Sequence, residues 1–156
     1  MAAGGWTADG GLRPGQGDEA VGRWGGGAVA FPGVGDEIYV GNADPDALAD
    51  KGWLMGYFKP EGDPRHSTDV EIKWGRHPKG DRRAAWVRGE ERTALLVLIS
   101  GCFHMEFPER TVVLDKQGDY VVWPRGVDHS WYAAEESVVL TVRWPSVPGY
   151  AVRADD

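Results

Sequence analysis

Short β-like segments separated by turns, between Trp53 and Trp144, constrain the fold of this 156-residue chain more than any other feature. Thr93–Ser100 (TALLVLIS) is almost wholly apolar, which predicts a central strand covered on both faces. Gaps containing Gly, Pro, Asp or Lys separate the later segments, which are Phe103–Phe107, Thr111–Leu114, Tyr120–Trp123 and Ser137–Trp144. With no long helical periodicity, this pattern predicts an antiparallel sandwich or barrel.

The segments before the central strand are less regular. Residues 68–74 alternate between an apolar set, Val70, Ile72 and Trp74, and a charged set, Asp69, Glu71 and Lys73. Alternation with a period of two predicts a half-buried strand whose apolar face packs on the core. Residues 53–59 are expected to be extended, and residues 84–88 form a weaker candidate strand. A brief helical turn is predicted where Asp44 precedes Pro45 and Gly52 supplies a stop.

Composition divides the chain into three parts. Residues 1–35 contain 12 of the 23 glycines, and few apolar side chains there are available as anchors. We expect a flexible Gly-rich N-terminal segment, or an arm that folds across another subunit. Residues 36–148 are expected to form one domain, and residues 149–156 a C-terminal tail.

The net charge and the length of the apolar runs limit the classes of partner that we expect for this chain. The net charge is −7, from 17 basic and 24 acidic residues, which argues against a nucleic-acid-binding surface. No apolar run approaches the ~20 residues of a membrane span, and the N-terminus lacks the pattern of a secretory signal. The single cysteine, Cys102, allows no internal disulfide. A cytoplasmic protein without membrane or nucleic-acid partners is therefore expected.

The stretch Gly118–Ala133 (GDYVVWPRGVDHSWYA) carries the most specific motif. Asp119–Trp123 has the β-branched and aromatic content of a short strand. Pro124 and Gly126 then predict a turn, because proline fixes φ and glycine accepts a positive φ. His129 follows at the start of the next extended segment, so its imidazole is aimed from a fixed backbone position.

The spacing of Gly118, Pro124, Gly126 and His129 resembles the second conserved motif of the cupins, except that Ala133 stands where the family often has Asn. The resemblance covers residues 53–146 and is to compact single-domain bacterial cupins. It implies an all-β fold, a jelly-roll β-barrel, here preceded by the Gly-rich arm. In metal-binding members it also implies a divalent metal such as Fe, Zn, Mn or Ni.

The first cupin motif is degenerate. Counted back from Gly101, its two histidines and its glutamate fall on Arg88, Glu90 and Ala94. Of these only Glu90 can bind a cation. If a metal is bound, the candidate ligands are His129, His104 and Glu90, with Glu91, His77 and Glu106 as further candidates. His104 shares a predicted strand face with Glu106.

A barrel without a full metal set still offers a cavity for a small, aromatic or anionic metabolite. The aromatic side chains expected to line it also suit a plain hydrophobic core. Arg82, Arg83 and Arg88 are expected near its mouth, where they can bind a carboxylate or phosphate, with a solvated charged turn as the alternative for Arg82 and Arg83. The aromatic candidates are Trp74, Trp86, Trp123, Trp131 and Tyr120.

His129 is the residue best suited to acid–base chemistry, with Glu90 to orient it or share a proton. The alternative is that its imidazole bonds a backbone carbonyl and only pins the turn. The sequence thus leaves open a ligand-binding protein, a metal-dependent oxygenase, and a metal-free isomerase or cyclase. A homodimer is expected in each case, because cupins that this chain resembles are frequently dimers.

Overall fold

The structure, a computed structural model, describes residues 38–148. This part of the chain contains one short helix, α1 (Ala43–Ala49), and eight strands. The strands are β1 (Trp53–Met55), β2 (Glu71–His77), β3 (Thr93–Ser100), β4 (Phe103–Phe107), β5 (Arg110–Leu114), β6 (Tyr120–Trp123), β7 (Ser130–Ala133) and β8 (Ser137–Trp144).

The strands form two antiparallel sheets. One has five strands in the order β1-β2-β8-β3-β6, and the other has three in the order β5-β4-β7. Side chains from both sheets meet in a common core, among them Leu96, Leu98 and Val139 from the larger sheet and Phe103 and Met105 from the smaller. The predicted all-β jelly-roll class is confirmed.

Strand β3 has the central place that its apolar sequence predicts. It lies between β8 and β6. Ala94, Leu96 and Leu98 are buried in the core, and the residues between them are half-buried on the other face. A strand hydrogen-bonded on both edges and covered on both faces needs apolar residues at successive positions, which is why its alternation is weak.

Strand β2 corrects the sequence prediction. Its charged face is the one turned into the barrel: Glu71 is 1% exposed, and Lys73 lines an internal cavity. Trp74 lies on the opposite face, where its indole N–H donates to Asp44 at 2.8 Å. Alternation defines two faces of a strand but not which one packs inward, and here cations from other elements neutralise the buried carboxylate.

The other predicted elements are partly confirmed. The helix begins two residues earlier than expected, because Asn42 is the N-cap and accepts from the amide of Asp44 at 3.0 Å. Residues 84–88 form no strand; Val87 instead makes an isolated antiparallel bridge with His129. The predicted Gly-rich arm and the C-terminal tail lie outside the described residues. No helix in the described part of the chain has the length and apolar content to cross a membrane.

Candidate ligand cavity and buried charge cluster

The turn at residues 124–126 brings the second cupin-like motif, which contains His129, next to the degenerate first motif, which contains Glu90. Gly126 has a φ of 81°, the left-handed region that favours glycine, and its amide donates to the carbonyl of Glu90 at 2.7 Å. Val87 and His129 exchange two backbone hydrogen bonds, at 2.8 and 3.1 Å. The backbone therefore holds His129 beside the segment that carries Glu90.

The His129 side chain is buried against Trp123, with ring centroids 4.9 Å apart. Its Nδ1 lies 3.0 Å from the carbonyl of Val127, which can only accept, so Nδ1 carries the proton. Nε2 then keeps its lone pair and lies 4.0 Å from Glu90 Oε2. Burial lowers the pKa of His129, more than the carboxylate of Glu90 raises it. A neutral imidazole with a free basic nitrogen is the result.

Four charged side chains form a buried cluster at one end of the barrel, called here the charge cluster: Glu71, Glu90, Arg92 and Arg143. The Nη2 of Arg143 lies 2.5 Å from Glu71 Oε1, and its Nη1 lies 2.8 Å from Glu90 Oε1. The Nη1 of Arg92 lies 3.1 Å from the same two oxygens. Two carboxylates and two guanidiniums balance, so the cluster is neutral.

Further hydrogen bonds tie the charge cluster to the chain beyond β8. Ser146 Oγ donates to Glu71 Oε2 at 2.9 Å and accepts from the amide of Tyr57 at 3.0 Å. Arg92 Nη2 donates to the carbonyl of Val147 at 3.0 Å. The side chains of Glu71 and Arg92 are each only 2% exposed, so these contacts replace the water that both groups lose on folding.

A cavity of about 90 Å³ lies inside the barrel next to the charge cluster. At about 30 Å³ for each water molecule, this volume corresponds to roughly three waters. Apolar walls come from both sheets, and the polar lining is mostly cationic. The lining includes Trp53, Leu96, Phe103, Met105, Trp123, Trp131 and Val139 on the apolar side, and Lys73, His77, Arg83, His129, Thr141 and Arg143 on the polar side.

Lys73 and Arg83 are the cations of the lining that lack a carboxylate partner among the described residues. Burial lowers the pKa of Lys73, and the charges of Arg143 and Arg83 lower it further. Burial also lowers the pKa of Arg83, whose Nε is buried without a hydrogen-bond partner within residues 38–148. The cavity thus holds an excess of positive charge beside a neutral cluster.

The sequence-predicted site residues separate into two groups. His129, Trp123 and Trp131 line the cavity, and Glu90 adjoins it through His129 and Arg143. The others do not line it: Trp74 packs toward α1, Trp86 is half-buried elsewhere, Tyr120 is 65% exposed and Arg88 is exposed. Arg83, five residues before Arg88, contributes a guanidinium to the lining instead.

Glu71, Lys73 and Arg143 were missed as site residues because charged positions in alternating strands ordinarily face water. Strand β8 changes from apolar to polar at Thr141 and Arg143, and the pairing of β8 with β2 places these positions opposite Lys73 and Glu71. This register is a long-range feature, so no local signal in the sequence identifies these residues.

The donor set does not fit a divalent metal. His104 lies on the outer face of β4, its ring 4.3 Å from that of Tyr132, so it does not share a space with His129. No group of three or more His, Cys, Asp or Glu side chains is arranged to hold a metal ion between residues 38 and 148. Glu90 is engaged by two guanidiniums, His77 lines the cavity but bonds Asp81 through Nδ1, and cations surround the cavity.

The architecture consists of two antiparallel sheets packed face to face. The Gly118–His129 motif forms β6, the turn after it and the entry to β7. This two-sheet antiparallel arrangement is the jelly-roll class that the resemblance to the cupins implies. No protein-family model matches the chain, and no curated protein does.

Solved structures with a similar fold include KdgF from Halomonas sp., at 22% identity and TM-score 0.47, over 51% of this chain and 73% of that one. An RmlC-like cupin from Shewanella frigidimarina has 19% identity and TM-score 0.45, over 56% and 71%. A conserved protein of unknown function from Streptococcus pyogenes has 17% identity and TM-score 0.48, over 76% and 96%. Likenesses of this degree concern the barrel and carry nothing about activity.

Proposed function

We propose that this protein binds a small anionic metabolite, a short carboxylate, inside its barrel. The observation that carries the proposal is the surplus of positive charge in a partly desolvated cavity, where Lys73 and Arg83 have no carboxylate partner among the described residues. Desolvated, unpaired cations destabilise a fold, and a bound anion removes that penalty. An anion is therefore the ligand whose binding the lining favours.

The size of the cavity limits which ligands can fit inside it. The sequence leads to a ligand that is aromatic or anionic, yet the cavity of about 90 Å³ is far smaller than the roughly 300–1,000 Å³ of sites for drug-sized molecules. The aromatic rings already fill the space: Trp131 stacks on Phe103 at a centroid distance of 5.3 Å and lies 4.4 Å from His77. A carboxylate on a short carbon chain suits the remaining volume, whereas a polycyclic molecule does not.

A thermal-shift titration tests the proposal. Pyruvate and lactate should raise the melting temperature by several degrees at 100 times their Kd, since ligand binding then adds about 2.7 kcal/mol. Sodium chloride at the same ionic strength and neutral acetamide should not. No shift with any of these short carboxylates would overturn the proposal.

The chain offers a matched pair of variants for this titration. Arg83 lines the cavity, whereas its neighbour Arg82 projects outward, with its guanidinium over the ring of Tyr132 at 5.7 Å and its side chain 65% exposed. Arg83→Met should abolish the carboxylate-dependent shift, and Arg82→Met should keep it. Equal responses of the two variants would place the anion outside the cavity.

A second candidate function is metal-free acid–base catalysis on the bound carboxylate, with His129 as the base. Its support is the neutral imidazole whose Nε2 is free to accept a proton and which lines the cavity. Exchange of the methyl protons of pyruvate in D₂O, followed by ¹H NMR, tests it. Exchange above the buffer rate should be lost in His129→Asn; an unchanged rate in that variant would exclude His129 as the base.

Homodimerisation, expected from the sequence, remains a proposal. The edge strand β6 carries two exposed apolar side chains, Tyr120 at 65% and Val122 at 48% exposure, which supports pairing through this edge. Sedimentation equilibrium of the wild type and of Val122→Lys tests it. A monomeric wild type, or a dimer unaffected by the lysine, would contradict pairing at β6.

A further inference from the structure

Lys73 occupies an unusual position for a lysine. It lies on β2 with Trp53 paired to it on one side and Thr141 of β8 on the other. Its Nζ is 5.3 Å from the centroid of the Trp53 ring, and the guanidinium carbon of Arg143 is 4.2 Å from the same centroid. An indole therefore forms one wall around the amine, and a second cation lies against the same ring.

The guanidiniums of Arg143 and Arg83 line the cavity with Lys73 and disfavour its ammonium form. The imidazoles of His77 and His129 complete the polar lining. His77 bonds Asp81 at 2.8 Å through Nδ1, and the carboxylates Glu71 and Glu90 are engaged by Arg92 and Arg143. Within the described residues, the negative charges near the cavity are thus committed to other cations.

Two independent physical effects act on the amine in the same direction. Burial of the side chain lowers its pKa, and the nearby charges of Arg143 and Arg83 lower it again. A lysine placed in an apolar pocket next to other cations is the arrangement that yields a nucleophilic amine near neutral pH. The lowered pKa increases the fraction of Lys73 that is uncharged, and this amine form attacks a carbonyl carbon while Arg83 keeps its charge for the carboxylate.

We propose that Lys73 is a nucleophile that forms an imine with the carbonyl carbon of a short 2-oxo acid bound in the cavity. This inference rests on the proposed function, because the carboxylate of the 2-oxo acid is the anion that Arg83 binds. It adds the chemical class of the ligand and a covalent step.

The step balances without a further reagent. The Nζ lone pair attacks the carbonyl carbon to give a carbinolamine, and loss of one water leaves the C=N bond. The proton that the ammonium releases beforehand passes to solvent. Nothing is oxidised or reduced, and the imine hydrolyses by the reverse route.

Reductive trapping tests the inference. The full chain is incubated with pyruvate and sodium cyanoborohydride, which reduces an imine to a stable secondary amine. Intact-mass spectrometry should find one added pyruvate, less one water and plus two hydrogens, and peptide mapping should locate it on Lys73. Labelling of Lys73 should exceed that of Lys79, an exposed lysine, by about tenfold or more.

Variants and a second ligand separate the possible results. Lys73→Arg keeps the charge and should remove the adduct, whereas Lys79→Arg should retain it. Lactate, which has the carboxylate but no carbonyl, should slow trapping by competition and form no adduct. Because the mapping on the wild type needs no variant, poor folding of Lys73→Arg leaves the test intact.

Failure of this inference is distinguishable from failure of the proposed function. A thermal shift with both pyruvate and lactate but no adduct on Lys73 would overturn the imine and leave carboxylate binding standing. No shift with either ligand, together with uniform slow labelling of surface lysines, would overturn both. A shift with both ligands and selective labelling of Lys73 would support both.

Discussion

Two neighbouring regions inside the barrel differ in whether their charged side chains are paired with opposite charges. In the charge cluster, Glu71 and Glu90 meet Arg92 and Arg143 at distances of 2.5–3.1 Å. In the adjoining cavity, Lys73 and Arg83 are half-buried, and no ion pair within the described residues neutralises them. Arg143 belongs to both regions, since it pairs with the carboxylates and also lines the cavity.

The difference indicates a division between support and binding. Carboxylates and guanidiniums whose charges neutralise each other hold β2, β8 and the segment before β3 together, although Arg143 Nε is buried without a hydrogen-bond partner among the described residues. Their charges are balanced, so the cluster has no charge left to attract a ligand. Unpaired cations in a low-dielectric cavity cost stability and are worth keeping only if something negative binds there. The cluster holds the strands that form the site, and the cavity binds the ligand.

The largest expected effect comes from removing one charge of the cluster. Glu71→Gln keeps the shape but leaves Arg92 and Arg143 with an excess of buried positive charge. We expect the free energy of unfolding, measured by urea denaturation at pH 7, to fall by about 3–5 kcal/mol.

The control for this variant is Glu135→Gln, which breaks the exposed pair with Lys79, whose side chains are 69% and 59% exposed. That change should cost less than about 1 kcal/mol, because water screens the pair. Similar losses for Glu71→Gln and Glu135→Gln would mean that the cluster has no special role in the fold.

Removal of an unpaired cation should change the free energy of unfolding in the opposite direction. Lys73→Met keeps the aliphatic stem against Trp53 and deletes a desolvated ammonium, so the ligand-free protein should be as stable as the wild type or more stable by about 1 kcal/mol. Urea denaturation without added carboxylate is the measurement. A loss above about 2 kcal/mol would show that Lys73 stabilises the fold through a partner of its own.

The pH dependence of stability gives the smallest effect. The pKa of His129 in the folded chain lies below the ordinary value of 6.5, so the unfolded chain takes up this proton first as the pH falls. Between pH 7.5 and 5.5 this group therefore subtracts stability, by at most about 1.4 kcal/mol per pH unit below 6.5.

His129→Asn retains a donor toward the carbonyl of Val127 and does not titrate. Its unfolding free energy, measured at pH 7.5 and 5.5, should fall less over this interval than that of the wild type. The same slope in both proteins would show that His129 is not the buried group responsible.

Much of the fold follows from local sequence. The apolar run at residues 93–100, and the strands at residues 103–107, 120–123 and 137–144, have the bounds that their β-branched content and flanking turns predict. The spacing of Gly118, Pro124, Gly126 and His129 predicts both the turn and the two-sheet jelly roll. These features need only neighbouring residues, which is why they could be recognised.

The site depends on contacts between segments far apart in the chain. By itself the sequence determined the barrel, the turn and the place of His129, because strand propensity and turn geometry are local. Only the tertiary structure decided that the charged face of β2 turns inward, that Glu71 meets Arg143 across 72 positions, and that Arg83 rather than Arg88 enters the cavity. Burial of a charge is decided by its partners, and alternation along one strand does not specify them.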